Sequence, residues 1–166
     1  MHPSKLANVM SVVGPSGSGK TTLICGLLGW FRAQGLKVAV LKHSHKTILP
    51  DDGKDTGKFS RAGAQAVALA APGLLTVSRF FPGEPPLGAA LAALAAVADL
   101  VLVEGYKTSS LPKISLVGPA LEEVLPDHSR VVALVSSDPV ESELPVFHPG
   151  EIAALGRFIK EYLGLP

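Results

Sequence analysis

Charge is scarce in this chain. Asp, Glu, Lys and Arg make up 17% of its 166 residues and balance to a net +1. A field that weak does not argue for nucleic acid or an anionic membrane as a partner. Cysteine is nearly absent as well. The single Cys25 excludes an internal disulfide and, lying among apolar residues at helical spacing, reads as a small core residue rather than a nucleophile. Long hydrophobic runs are missing too. The longest, Leu87 to Ala98, is alanine-rich, stops at Asp99 and falls short of the roughly 20 residues that span a bilayer. The chain has no internal repeat and no low-complexity tail. Its first glycine-rich motif comes too early for a secretory signal to precede it, so a cytoplasmic location is expected. Hydrophobic content of 47% with so little charge suits a surface partly covered in an oligomer, although alanine inflates that figure.

What the chain does have is Gly14-Pro15-Ser16-Gly17-Ser18-Gly19-Lys20-Thr21-Thr22. This satisfies G-x-x-x-x-G-K-S/T, the phosphate-cradling loop. The apolar run Val9 to Val13 before it reads as a buried strand, and Thr22 to Leu28 after it has apolar residues at helical spacing. That strand–loop–helix context turns the pattern into a prediction of nucleoside phosphate binding. Gly14, Gly17 and Gly19 let the backbone take positive φ and bring peptide N–H groups against phosphate oxygens. The helix starting near Gly19 adds unpaired donors and the positive end of its dipole. Lys20, expected to be exposed at the loop, reaches the β- and γ-phosphates, and the Thr21 hydroxyl ligates Mg²⁺.

Length suits one domain over residues 1–166. The first helix runs to about Gln34 with Gly35 as its stop, and Leu36 to Leu41 is a second strand. Thr47 to Thr56 reads as a mobile loop and Lys54 to Ala62 as a short helix. Gln65 to Ala71 and Leu74 to Phe80 flank Pro72-Gly73, a type II turn pair, and form a hairpin expected to add antiparallel strands to the sheet. Pro86 opens a helix with Leu87, Leu91 and Leu94 on one face. Strands follow at Leu100–Val103, Ile114–Val117 and Val131–Val135. A last helix runs from about Gly150 to Tyr162, with Ile152, Leu155, Phe158 and Ile159 facing inward. The fold class is α/β: a P-loop NTPase fold, a mostly parallel sheet flanked by helices, with an added β-hairpin.

Two acids compete to partner the metal. Asp99 and Glu104 bracket one apolar strand, and five extended residues at about 3.3 Å each put them roughly 16 Å apart. Ligands bind at the carboxyl ends of parallel strands, so Glu104 is the functional candidate and Asp99 a strand-entry residue. Asp52 and Asp55 sit in the loop after the second strand, either as a switch-like segment or as a solvated turn. His43 and His45 are a poor metal pair on their own and read as phosphate contacts or a hydrogen-bonded rim. Arg61 and Lys107 are either anion contacts or solvated charges. Asp138 offers acceptors to guanine N1 and N2, or simply makes an Asp-Pro turn with Pro139. The N-K-x-D motif of many GTPases is absent.

The order of Lys42-His43-Ser44-His45, Gly53-Lys54-Asp55-Thr56, Arg61-Ala62-Gly63-Ala64, Glu104-Gly105-Tyr106-Lys107 and Leu111-Pro112-Lys113-Ile114 resembles the molybdopterin-guanine dinucleotide biosynthesis adaptor (MobB) family. The resemblance covers about Val9 to Asp138. It implies a GTP-binding homodimer with Mg²⁺, acting in molybdenum cofactor biosynthesis. Such a protein assists the guanylyltransferase that joins GMP to molybdopterin, and its own GTP hydrolysis is weak. It also implies that Asp55 and Glu104 lie near the Mg²⁺, while leaving Arg61, Lys107 and Lys113 without a role. The segment Lys46 to Asp52 departs from the family in having less histidine and aspartate, which weakens any carboxylate role for Asp51 or Asp52. An ATP-dependent ligase or kinase related to dethiobiotin synthetase is the alternative, because a Glu-Gly after a strand also resembles that metal site.

Overall fold

The first strand of the computed structural model, β1 (Asn8–Val13), lies at the centre of a six-stranded sheet. The structure describes residues 8–44, 46, 54–118 and 130–166. Two compact units account for them, Met1–His43 with Leu87–Pro166, and Ser44–Pro86.

In the first unit β1 leads through α1 (Lys20–Ala33) to β2 (Val38–Lys42). After the second unit come α3 (Leu87–Ala95), β5 (Leu100–Glu104), β6 (Lys113–Leu116), β7 (Val131–Val135), β8 (Val146–Phe147) and α4 (Ile152–Leu163). The strand order is β2-β5-β1-β6-β7-β8, and every neighbouring pair is parallel. Parallel sheets are covered on both faces, which is why β1 and β5 read as near-continuous apolar runs. Alternation along them sorts the core. Met10, Val12, Leu100 and Leu102 pack with Leu23, Ile24, Leu27 and Phe31 of α1 and Leu155 and Ile159 of α4. Val9, Val101 and Val103 pack instead with Leu91 of α3, with Leu87 and Leu94 at its margin. Helices therefore cover both faces, as the α/β reading requires.

Where α1 meets α4, small residues admit large ones. Ile152 presses on Gly26, where an added Cβ would lie 2.8 Å from its Cδ1, and the Trp30 ring lies over Gly156. Cys25 is not in this core. It is exposed, because the buried residues Leu23, Ile24, Leu27 and Phe31 centre on a helix direction about 145° away at 3.6 residues per turn. Asp99 has the expected strand-entry place. Its Oδ2 accepts the Lys37 N–H at 3.0 Å, and its own N–H donates to Lys37 O at 2.8 Å.

The second unit holds α2 (Asp55–Arg61), β3 (Ala66–Ala71) and β4 (Leu74–Arg79). The hairpin turns on Pro72-Gly73 as expected, with Gly73 at φ 76°, as type II demands. It does not extend the six-stranded sheet, however. β3 and β4 form a two-stranded sheet of their own, paired in register from Ala66 with Arg79 to Ala71 with Leu74. The expected attachment is corrected on this point. A Pro-Gly turn between apolar runs specifies local pairing and says nothing of a third strand. The expectations for Thr47 to Gly53, and for His45, Asp51 and Asp52, lie outside the described residues.

Candidate nucleotide-binding site

Because the strands of the large sheet run parallel, their carboxyl ends share one edge. Val13, Lys42, Glu104, Leu116 and Val135 close β1, β2, β5, β6 and β7 there. The segment Gly14 to Thr22 leaves β1 at this edge and passes into α1. Gly14 must be glycine for two reasons. Its φ is 147°, and an added Cβ would stand 2.8 Å from the Leu116 carbonyl oxygen. Gly19 caps α1 in the left-handed conformation with φ 89°, and neither a side-chain cap nor an acidic residue serves the first turn. The first N–H groups of α1 are thus left facing the loop, the arrangement that receives anions.

Lys20 is half-buried rather than exposed. Its ammonium curls back over the loop and donates to Gly14 O at 3.2 Å and to Pro15 O. Burial lowers its pKa, aided by the charges of Lys107 and Lys42 and opposed by that of Glu104. The Thr21 hydroxyl donates to Glu104 Oε2 at 3.0 Å, and the Lys42 ammonium donates to Glu104 Oε1 at 2.9 Å. Burial alone would push the Glu104 carboxyl up. The hydrogen bonds from Lys42 and Thr21, with the charges of Lys42 and Lys20, outweigh it and hold the group below the usual carboxylate range.

Two hollows flank the loop, and both are lined by Ser16 and Gly17. One, of about 360 Å³, is completed by Gly19, Lys20, Thr21, Lys42 and Glu104. The other, of about 300 Å³, is completed by Pro15, Ser18, the carboxyl ends of β6 and β7, Ser137, Asp138 and Pro149. Asp138 is exposed. Its N–H donates to Ser136 Oγ at 3.2 Å, a turn that holds the residue at the rim.

The first hollow joins two hard oxygen donors, Thr21 Oγ and Glu104 Oε2. That donor set suits Mg²⁺, which keeps most of its shell as water and phosphate oxygens. Among the described residues no group of three or more His, Cys, Asp or Glu side chains could hold a metal. A cation here would need oxygen from elsewhere, as a nucleotide provides. Asp55 belongs to the second unit, where it opens α2 and pairs with Lys58 at 3.1 Å. Arg61 closes the same helix.

Four residues have places their sequence did not disclose. Lys42 is the partner of Glu104. His43 donates its N–H to Glu104 O at 2.9 Å and stacks its ring on Tyr106 with centroids 4.3 Å apart. Tyr106 itself holds φ 53°, uncommon for a bulky residue. Lys113 is fully buried, and its ammonium donates to Ser109 O at 2.5 Å, tying down the segment after β5.

A family model described as molybdopterin guanine dinucleotide synthesis protein B matches residues 9–137. The chain belongs to this family. It is 33% identical over 162 residues to the molybdopterin-guanine dinucleotide biosynthesis adapter protein of Haemophilus influenzae, spanning 93% of this chain and 89% of that protein. The Escherichia coli protein of the same name is 30% identical and spans 89% of each. A solved crystal structure of molybdopterin-guanine biosynthesis protein B aligns with a TM-score of 0.77 at 31% identity, covering 93% of this chain and 99% of that one. The family expected from the motif order is borne out, and with it the fold class. The family match ends one residue short of Asp138.

Proposed function

We propose that this protein is a GTP-binding adaptor of molybdenum cofactor biosynthesis, assisting the guanylyltransferase that attaches GMP to molybdopterin to form molybdopterin guanine dinucleotide. Two of its relatives bear the adapter name. The observation that carries the reading is the Thr21–Glu104 contact beside the uncapped start of α1. In this reading the triphosphate lies along Gly14 to Thr22, with Lys20 turned to the β- and γ-phosphates. Thr21 and Glu104 hold Mg²⁺, which when bound neutralises phosphate charge. Asp138 accepts from guanine N1 and N2 at the second hollow. Turnover is slow, because Glu104, the carboxylate that lines the first hollow, is committed to the metal rather than to activating an attacking water.

The working form is a homodimer in the cytoplasm. The hairpin supports the pairing, with Leu69, Leu74, Leu75 and Val77 all at least half exposed, a large apolar surface for one short segment. Among the described residues no helix is long and apolar enough to cross a membrane. Sedimentation equilibrium should return a dimer at micromolar concentration, and a monomer there removes this part of the reading.

The test of the nucleotide site is calorimetric titration with GTP and ATP, each with and without Mg²⁺. GTP with Mg²⁺ should bind at least about tenfold more tightly than ATP, the difference one or two carboxylate hydrogen bonds supply. Glu104→Gln should weaken binding only when Mg²⁺ is present. Equal affinity for the two nucleotides removes the role of Asp138. Equal loss with and without Mg²⁺ makes Glu104 structural.

A further inference from the structure

The hollow beside Lys20 gathers more positive charge than its carboxylate needs. Lys20 and Lys42 line it with Glu104, and Lys107 stands near enough to act on the charge of Lys20. The two lining ammoniums are placed differently. Lys20 Nζ is occupied by carbonyl oxygens of its own loop. Lys42 comes from another strand, with its Cα directly opposite that of Glu104 in the β2–β5 register.

The Lys42–Glu104 pair is lopsided. The Glu104 side chain is 13% exposed, but that of Lys42 is 61% exposed. Ion pairs with one partner in water contribute little to stability and break readily. Lys42 also carries three rotatable donors on a flexible four-carbon stem, mounted at the carboxyl end of β2, the edge strand of the large sheet. The same hollow is walled by Ser16, Gly17 and Gly19 of the phosphate loop. An ammonium so mounted suits an oxyanion arriving there better than it suits a fixed bridge.

We propose that Lys42 is a phosphate-binding residue specific for the terminal phosphoryl group, the residue by which this protein distinguishes a nucleoside triphosphate from a diphosphate. The inference rests on the nucleotide reading above. With a diphosphate bound, the ammonium stays on Glu104. With a triphosphate, which brings one further negative charge into the hollow, it turns from Glu104 to the γ-phosphate oxygens. No bond is made or broken beyond these hydrogen bonds. Glu104 keeps its Thr21 contact, and the β2–β5 ladder that mounts both residues is undisturbed.

The experiment is calorimetric titration of the full chain with GTP and with GDP, each with Mg²⁺, for wild type, Lys42→Met and Lys42→Arg. Wild type should favour GTP. Lys42→Met should lose about tenfold or more in GTP affinity, the weight of a charge-assisted hydrogen bond, with GDP shifted by less than about twofold. Lys42→Arg should recover part of the loss, since the charge is kept. A Lys42→Met protein that weakens both nucleotides equally, or neither, overturns the inference while the nucleotide reading stands. A wild type that binds neither nucleotide overturns both. A circular dichroism melt matching wild type within a few degrees is expected of Lys42→Met, because the lost side chain is mostly in water.

Discussion

Lys20→Ala is expected to lower nucleotide affinity by roughly 10²-fold, the upper range for charge-assisted hydrogen bonds, and to leave the chain folded. The ammonium touches only the carbonyls of Gly14 and Pro15 among the described partners, and it lines an open hollow rather than the core. Deleting it therefore exposes two backbone oxygens to water and removes no packing of the sheet. The remaining side chain, alanine, is the best helix former at a first-turn position. Loss of binding should come from the missing cation alone. Titration with GTP and Mg²⁺, paired with a thermal melt followed by circular dichroism, separates the two effects. A variant that melts far below wild type would show that Lys20 holds the loop together, and an unchanged affinity would take the phosphates away from Lys20.

The curled Lys20 illustrates what the sequence could and could not say. The motif named the residue, but a linear pattern has no term for the loop carbonyls on which its ammonium rests. The same division runs through the molecule. β1 and β5 were legible because strands buried on both faces are apolar throughout, and the hairpin because Pro-Gly fits few backbone turns. The place of Glu104 beside the loop was legible because it follows an apolar strand whose carboxyl end shares an edge with that of β1. β8, only Val146–Phe147, was not. It exists through the Leu134 N–H to Pro145 O and Ser136 N–H to Phe147 O bonds, and two residues carry no periodicity. Lys42 stood in view within Lys42-His43-Ser44-His45, yet its partner lies 62 residues away, and spacing along the chain does not report such pairs. Lys113 shows the converse. A lysine opening a strand reads as solvated, but this one is fully buried because the segment after β5 folds back to receive its ammonium.

Gly14→Ala should cost both stability and binding, and more of each than Gly17→Ala. Both glycines hold positive φ, 147° and 77°, so each substitution brings backbone strain of about 1–2 kcal/mol. They differ in what the new methyl meets. At Gly17 nothing lies within 4 Å. At Gly14 the Cβ would stand 2.8 Å from Leu116 O, 3.0 Å from Leu116 Cβ and 3.1 Å from Ser18 Oγ. Leu116 cannot retreat, because β6 is paired on one side with β1 and on the other with β7. The loop must lift away instead, at a further cost of about 1–3 kcal/mol for overpacking. Lifting it also moves the Gly14 carbonyl on which Lys20 rests and opens the hollow between the loop and the ends of β6 and β7. Gly14→Ala should therefore melt several degrees below Gly17→Ala, roughly 2–4 °C per kcal/mol for a chain of this size, and bind GTP more weakly than that variant. Equal melting temperatures would mean that the loop gives way without cost. The approach of Gly14 to β6 would then be packing of convenience, and phosphate affinity, not fold, would be what requires glycine there.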